Sequence, residues 1–329
     1  MTRRSSIGRL LLLAVSCVLS LLALEGVLRL SGRVRVPPRN VRTDRPELYE
    51  AHPTIGYRLH PSRVMTYQYP RRHPRTLTVH ANSDGFRDRR DFNSADPRPR
   101  LVVLGDSFVF GEGVEEPERF TDRIEALLPE WRVDNLGMTG FGPDLMLRTL
   151  EQVGVGLRPT AVLLVLYTDD FRRVRPEYAG AGFEVPRFML RGGTLATIDY
   201  PTPGAWSRLH TVAATRELLW RASGAEWSLN TAILDRIRAI AATEGFALGI
   251  AFLPGTSETP TDLERKTWIS DYSSRSGTPF LDLTDPILGD RSRHLFIPDN
   301  FHLNPDGHAV VADNLVPFLS RSLLTRATP

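Results

Sequence analysis

The stretch Leu101-Val-Val-Leu-Gly-Asp-Ser-Phe-Val-Phe-Gly-Glu-Gly113 begins as a buried strand and then turns abruptly polar at Gly105, Asp106 and Ser107. Short apolar runs of the same kind recur at 132–137 (RVDNLG), 161–167 (AVLLVLY), 247–254 (ALGIAFLP) and 279–285 (PFLDLTD), several of them bounded by Gly or Pro. Helical patterns separate them, at 117–128, 143–154, 229–242, 261–274 and 306–323, the third carrying Leu229, Ile233, Leu234, Ile237 and Ile240 on one face. Five strands alternating with helices predict a three-layer α/β/α sandwich around a mostly parallel five-stranded sheet. Residues 172–210 break the alternation as a hairpin-like excursion.

The 329-residue chain is long enough for one large domain with appendages, and 41% hydrophobic with 24% charged residues is a globular composition. Forty-one basic residues against thirty-eight acidic ones leave a formal charge of only +3, and no aromatic-basic module points to a nucleic-acid partner. Cys17 is the single cysteine, which excludes internal disulfides and a cysteine-rich zinc site. No metal or organic cofactor is called for.

Residues 10–24 are an uncharged apolar run preceded by Arg3, Arg4 and Arg9, the layout of a secretory signal or a signal-anchor. Fifteen helical residues rise about 22 Å, short of the ~30 Å hydrocarbon core, but the apolar pattern continues to Leu30, with Glu25 and Arg29 one turn apart. No small-x-small cleavage site follows Leu24, which favours an uncleaved anchor over residues 10–30. Arg29, Arg33, Arg35, Arg39, Arg42 and Arg45 lie just downstream, so charge counting leaves the orientation open. The expected organisation is a cytoplasmic tip and anchor at 1–36, a proline- and arginine-rich linker with short strands at 37–97, and the α/β domain at 98–325.

A serine in the turn after the first strand can point its hydroxyl into the crevice at the sheet's carboxyl edge, with its own N–H free. Taken alone, Gly105-Asp106-Ser107 reads first as a turn whose side chains cap a helix. A serine nucleophile needs a base, and Ile-Pro-Asp-Asn-Phe-His-Leu-Asn-Pro-Asp-Gly-His (297–308) supplies Asp299 and His302 in the loop after the fifth strand. His308, with Asp306 nearby, falls inside the last helix pattern and reads as a packed or solvent-facing side chain.

These blocks, in this order over about 98–325, resemble those of the SGNH or GDSL-type hydrolase superfamily, with its flavodoxin-like fold. The resemblance implies Ser107 as nucleophile and first oxyanion donor, and Gly140 in Asn135-Leu-Gly-Met-Thr-Gly140 as the second, with Gly137 the less favoured choice. It implies His302 as general base and Asp299 as its orienting carboxylate. The third block departs: Thr168-Asp169-Asp170 stands where the family has Gly-Asn-Asp, and an ionised Asp169 cannot donate to an oxyanion. Asp169 reads equally as a helix cap or as a partner of Arg172 or Arg173. Pro53–Ser62 and Asn82–Asp88 are similar to segments that precede this domain in membrane-anchored bacterial relatives facing the extracytoplasmic, periplasmic side, with Tyr57 and Phe86 as anchors onto the domain.

The implied activity is a serine esterase acting on O-acyl esters, acetyl esters among them, of envelope carbohydrate or lipid. An O-acyltransferase would use the same acyl-enzyme, and a degenerate binding protein on the same fold is the alternative that Asp169 motivates.

Overall fold

Branched and leucine-rich runs of four to seven residues, buried on both faces, are strands of a parallel sheet, and the punctuation by Gly and Pro fixes where each one ends. The computed structural model describes residues 2–34, 36, 41–72, 74–92, 96–201, 204–290 and 292–324. The expected limits at Pro37 and residue 325 lie outside these, as do Arg35, Arg39 and the side chains of Arg3 and Arg4. The chain opens with α1 (Thr2–Ser31), followed by two antiparallel pairs, β1 (Tyr49–His52) with β2 (Gly56–Leu59) and β3 (Arg63–Tyr69) with β4 (Arg75–Ala81). The α/β succession is β5 (Arg100–Leu104), α2 (Ser107–Phe110), α3 (Phe120–Leu127), β6 (Arg132–Asn135), α4 (Pro143–Thr149) and β7 (Ala161–Tyr167). The hairpin β8 (Arg187–Arg191) and β9 (Thr194–Ile198) and the helix α5 (His210–Ala222) then intervene before α6 (Ala225–Glu244). It resumes with β10 (Ala247–Leu253), α7 (Pro260–Ser276), β11 (Phe280–Asp282), α8 (Thr284–Leu288) and α9 (Pro305–Ser322).

The central sheet runs β11-β10-β7-β5-β6, all parallel, with Val103 opposite Asn135 on one side and Leu163 on the other. Leu101, Val103, Leu163 and Val165 pack with Phe120, Ile124, Val311 and Leu315 of α3 and α9. The alternate residues Val102, Leu104, Val162 and Leu164 are equally inaccessible. Buried side chains of α4, α6 and α7, among them Leu145, Ile233, Ile237 and Ile269, cover that second face. From β5 the chain moves out to β6 and then crosses back to β7 on the far side of β5. The switch point, where such sheets open a crevice at their carboxyl ends, therefore lies between Ser107 and Thr168.

The chain divides into two compact units, residues 1–41 with 201–226, and residues 42–200 with 227–329. The second holds the sheet together with β1 to β4, which the sequence reads as linker. The first holds α1 and α5. The excursion expected at 172–210 runs on to a helix that the sequence pattern conceals, because the apolar residues of His210–Ala222 are scattered round the helix instead of gathered in one stripe.

Candidate active site

Gly105 ends β5 because α2 folds back against the strand: a Cβ there would stand 2.2 Å from Val109 Cγ2 and 3.0 Å from the Val165 carbonyl oxygen. Asp106 caps α2, Oδ1 accepting from Phe108 N at 2.9 Å, as the turn reading anticipates. Ser107 thus becomes the first residue of α2, where a helical N–H has no partner four residues back. Its side chain is buried, and its Oγ lies 2.8 Å from His302 Nε2 across 195 residues of sequence.

His302 is delivered by a loop folded on itself, with Ile297 N donating to His302 O at 2.9 Å and Asn300 N to Ile297 O at 3.0 Å. On the other side of the ring, Nδ1 meets Tyr69 Oη at 2.5 Å and Asn300 Oδ1 at 3.0 Å; Tyr69 donates to the same Asn300 oxygen at 3.1 Å. If Nε2 accepts the serine proton, Nδ1 carries the hydrogen and these neutral groups receive it. The structure does not bring Asp299 to the ring. Asp299 occupies the loop tip at φ +56°, a left-handed conformation that aspartate tolerates, and its 61% exposed carboxylate faces Arg72 at 3.9 Å. It lines a cleft of about 670 Å³ with Asn300 and Phe301, outside which Ser107 and His302 lie.

Burial above all, then the charges of Arg173, Arg45 and His308, hold the His302 pKa down to about 3, so the imidazole rests neutral. Arg173 is buried behind Ser107, its Nη1 reaching Asp106 Oδ2 at 2.9 Å, the Phe141 carbonyl at 2.8 Å and Asp170 at 2.6 Å. Burial and then the charge of Asp106 push Asp170 well above the usual carboxylate range. Met138 N donates to Gly105 O at 3.2 Å. The loop carrying Gly140 is therefore tied to the serine turn at both ends, by Met138 and by Phe141 through Arg173. Gly140 itself has φ +83°, which suits glycine, and among the described residues no acceptor stands on its N–H. Gly137 N–H is already donated to Asn135 Oδ1 at 2.9 Å.

Asp169 forms a bidentate ion pair with Arg172, with Arg265 at 3.5 Å. Burial acts to raise its pKa, but the Arg172 hydrogen bonds and the charges of Arg172, Arg173 and Arg265 outweigh this and hold it below the usual carboxylate value. His308 packs: its Nδ1 accepts from Phe120 N at 3.2 Å and its ring stacks on Phe120. Tyr57 and Phe86 are fully buried, Tyr57 donating to the Thr139 carbonyl beside Gly140.

Sequence reasoning missed Tyr69 and Asn300. Asn300 had a local signal, an amide two residues before the histidine whose Oδ1 also accepts His302 N at 3.0 Å. Tyr69 had none, since 233 positions separate it from the histidine.

The profile of the GDSL-like lipase/acylhydrolase family matches residues 103–310, and the chain belongs to that family. Membership indicates, in general terms, an acylhydrolase of ester bonds. Among solved structures, TesA aligns at 14% identity over 68% of this chain and 99% of its own, with a TM-score of 0.47. A lipolytic protein of the G-D-S-L family from Veillonella parvula aligns at 14% identity over 68% and 98% of the two chains, TM-score 0.45. The psychrotrophic esterase EstA from Pseudoalteromonas sp. aligns at 13% over 68% and 97%, TM-score 0.43. No curated protein sequence matches the chain.

Proposed function

We propose that the protein is a membrane-anchored serine esterase that cleaves O-acyl esters, acetyl esters of envelope carbohydrate or lipid among them, on the extracytoplasmic side. The observation that carries the catalytic part is the 2.8 Å contact between Ser107 Oγ and a neutral His302 Nε2 at the switch point of the sheet. His302 takes the Ser107 proton as Oγ attacks the ester carbonyl, and the N–H groups of Ser107 and Gly140 receive the oxyanion. The protonated imidazole then returns the proton to the leaving alcohol, and water hydrolyses the acyl-enzyme by the same route. Tyr69 and Asn300 fix the tautomer by accepting from Nδ1, a task that the family resemblance gives to Asp299. Without a carboxylate at Nδ1, and with Arg173 and Arg45 nearby, the imidazolium is poorly stabilised, so turnover is slow.

A glycan hydroxyl in place of water would give the acyltransferase. The serine–histidine contact weighs against a degenerate binding protein. The membrane part of the reading is supported by α1, whose Gly8–Ser31 segment is long and apolar enough to cross a bilayer. The test is labelling by a fluorophosphonate probe. Labelling of the wild type that is lost in Ser107→Ala is the expected result, and an unreactive wild-type serine would end both enzymatic readings.

A further inference from the structure

The helix α5 begins at Leu209 with no capping side chain of its own, so the N–H groups of its first turn need acceptors from elsewhere. Glu25 of α1 supplies them. Its carboxylate accepts from His210 N at 3.0 Å, Thr211 N at 2.9 Å and Thr211 Oγ1 at 3.1 Å, stands 3.2 Å from His210 Nδ1, and also receives Arg29 Nε at 2.8 Å. A negative charge at a helix N-terminus has the favourable polarity. The helix α5 packs on α1, and Val212, Ala213, Glu217 and Trp220 recur as half-buried positions on one side of it. The opposite side carries Leu218 and Leu219, 68% and 64% exposed, and Trp206 just upstream is 77% exposed.

We propose that residues 206–222 form a second membrane-contacting element, lying in the headgroup layer of the bilayer that α1 crosses, with Leu218, Leu219 and Trp206 turned to lipid. This rests on α1 being a retained anchor. Depth is the first argument. The uncharged run before Glu25 rises about 22 Å of a ~30 Å core, so Glu25 falls within about 8 Å of its far edge, where a polar side chain and the groups bound to it extend to the interface at which tryptophan concentrates. The start of α5, held to Glu25, is held at that depth too. Continuity is the second argument. Exposed leucines cover α1 from Leu10 to Leu30, and α5, packed on that helix, adds exposed leucines of its own. Two leucines and a tryptophan are too few for a stable protein interface but suit shallow insertion, where their apolar bodies enter the acyl boundary and the flanking Arg221 stays among headgroups.

The test uses the full chain carrying Cys17→Ser and Leu218→Cys, labelled at residue 218 with an environment-sensitive fluorophore and reconstituted into vesicles of phosphatidylcholine and phosphatidylglycerol. Quenching by lipids with a nitroxide near the glycerol end of the acyl chain is expected. Access to aqueous iodide should be several-fold lower than for the same label at Arg191→Cys in the β8–β9 hairpin. A label at 218 as open to iodide as that at 191 would overturn the proposal. Shielding from iodide without nitroxide quenching would overturn it as well, since protein and not lipid would then cover the face. Glu25→Gln should raise iodide access at 218 severalfold, and no change would remove Glu25 from the docking role. Extraction of the chain by alkaline carbonate would overturn the anchor reading itself, whereas a retained chain with a wet label defeats only the present inference.

Discussion

His302 and His308 stand six positions apart, both buried, and in both burial and nearby arginines lower the pKa to about 3. One faces a serine hydroxyl and the other a backbone N–H of α3. Burial and a perturbed pKa therefore do not distinguish a base from a packing residue. The atom at the ring nitrogen does: an O–H can surrender its proton to imidazole, whereas the amide of Phe120 only holds the ring in place.

The largest expected effect follows from that contrast. Ser107→Ala and His302→Ala should each lower kcat/KM on a simple acyl ester by at least about 10⁴-fold. His308→Ala should keep most of the activity while losing about 2–3 kcal/mol of stability, read as a fall in Tm, because it vacates a buried site and orphans the Phe120 N–H. Reversed effects would exchange the roles of the two histidines.

Acid should affect both residues together. The unfolded chain binds a proton on each histidine near the ordinary value of 6.5, while the folded chain resists protonation to about 3. The unfolded state then holds more protons between those values, so stability falls as pH drops from about 6.5 towards 3. The acid limb of kcat/KM should likewise lie well below 6.5. Denaturant midpoints that do not change across that window would contradict the buried, neutral state of the pair.

A smaller effect separates the two nitrogens of His302. Tyr69→Phe removes one acceptor from Nδ1 and should lower kcat about 5-fold with KM nearly unchanged, since a neutral hydrogen bond is worth about 1 kcal/mol. Asp299→Asn should cost less than about 3-fold, as expected for an exposed ion pair that touches no reacting group. A larger loss in Asp299→Asn than in Tyr69→Phe would mean that the working enzyme recruits the carboxylate. Asp169→Asn is expected to raise kcat/KM several-fold at neutral pH, because part of the amide population can leave Arg172 and act as a donor. A slower variant at every pH would assign the carboxylate a role in holding Arg172.

The sheet was legible because Leu101–Leu104 and Ala161–Tyr167 are apolar on both faces, a pattern that only a covered parallel strand sustains over so few residues. Ser107 and His302 were legible because strand ends converge at the switch point, so residues far apart in sequence share a crevice by topology alone. What sits at Nδ1 was not. Asp299 lies in the expected block, but whether its carboxylate turns inward depends on the left-handed backbone at the loop tip and on Arg72, neither of which a spacing rule encodes. Tyr69 arrives from the β3–β4 hairpin, whose strands were readable while its docking was not. The insertion helix escaped notice because much of what stabilises its start, the Glu25 carboxylate, belongs to α1.

That shared cap bears on how the protein can be shortened. A chain beginning at residue 42 would keep the insertion but lose the carboxylate that accepts from His210 and Thr211 and the apolar surface on which α5 rests. Two amide donors and the half-buried Val212, Ala213 and Trp220 would then meet water at once, leaving a frayed, sticky segment in the middle of an otherwise intact polypeptide. Residues 1–41 and 201–226 are thus best removed together or kept together, and a truncation that takes only the first invites aggregation that says nothing about the catalytic fold.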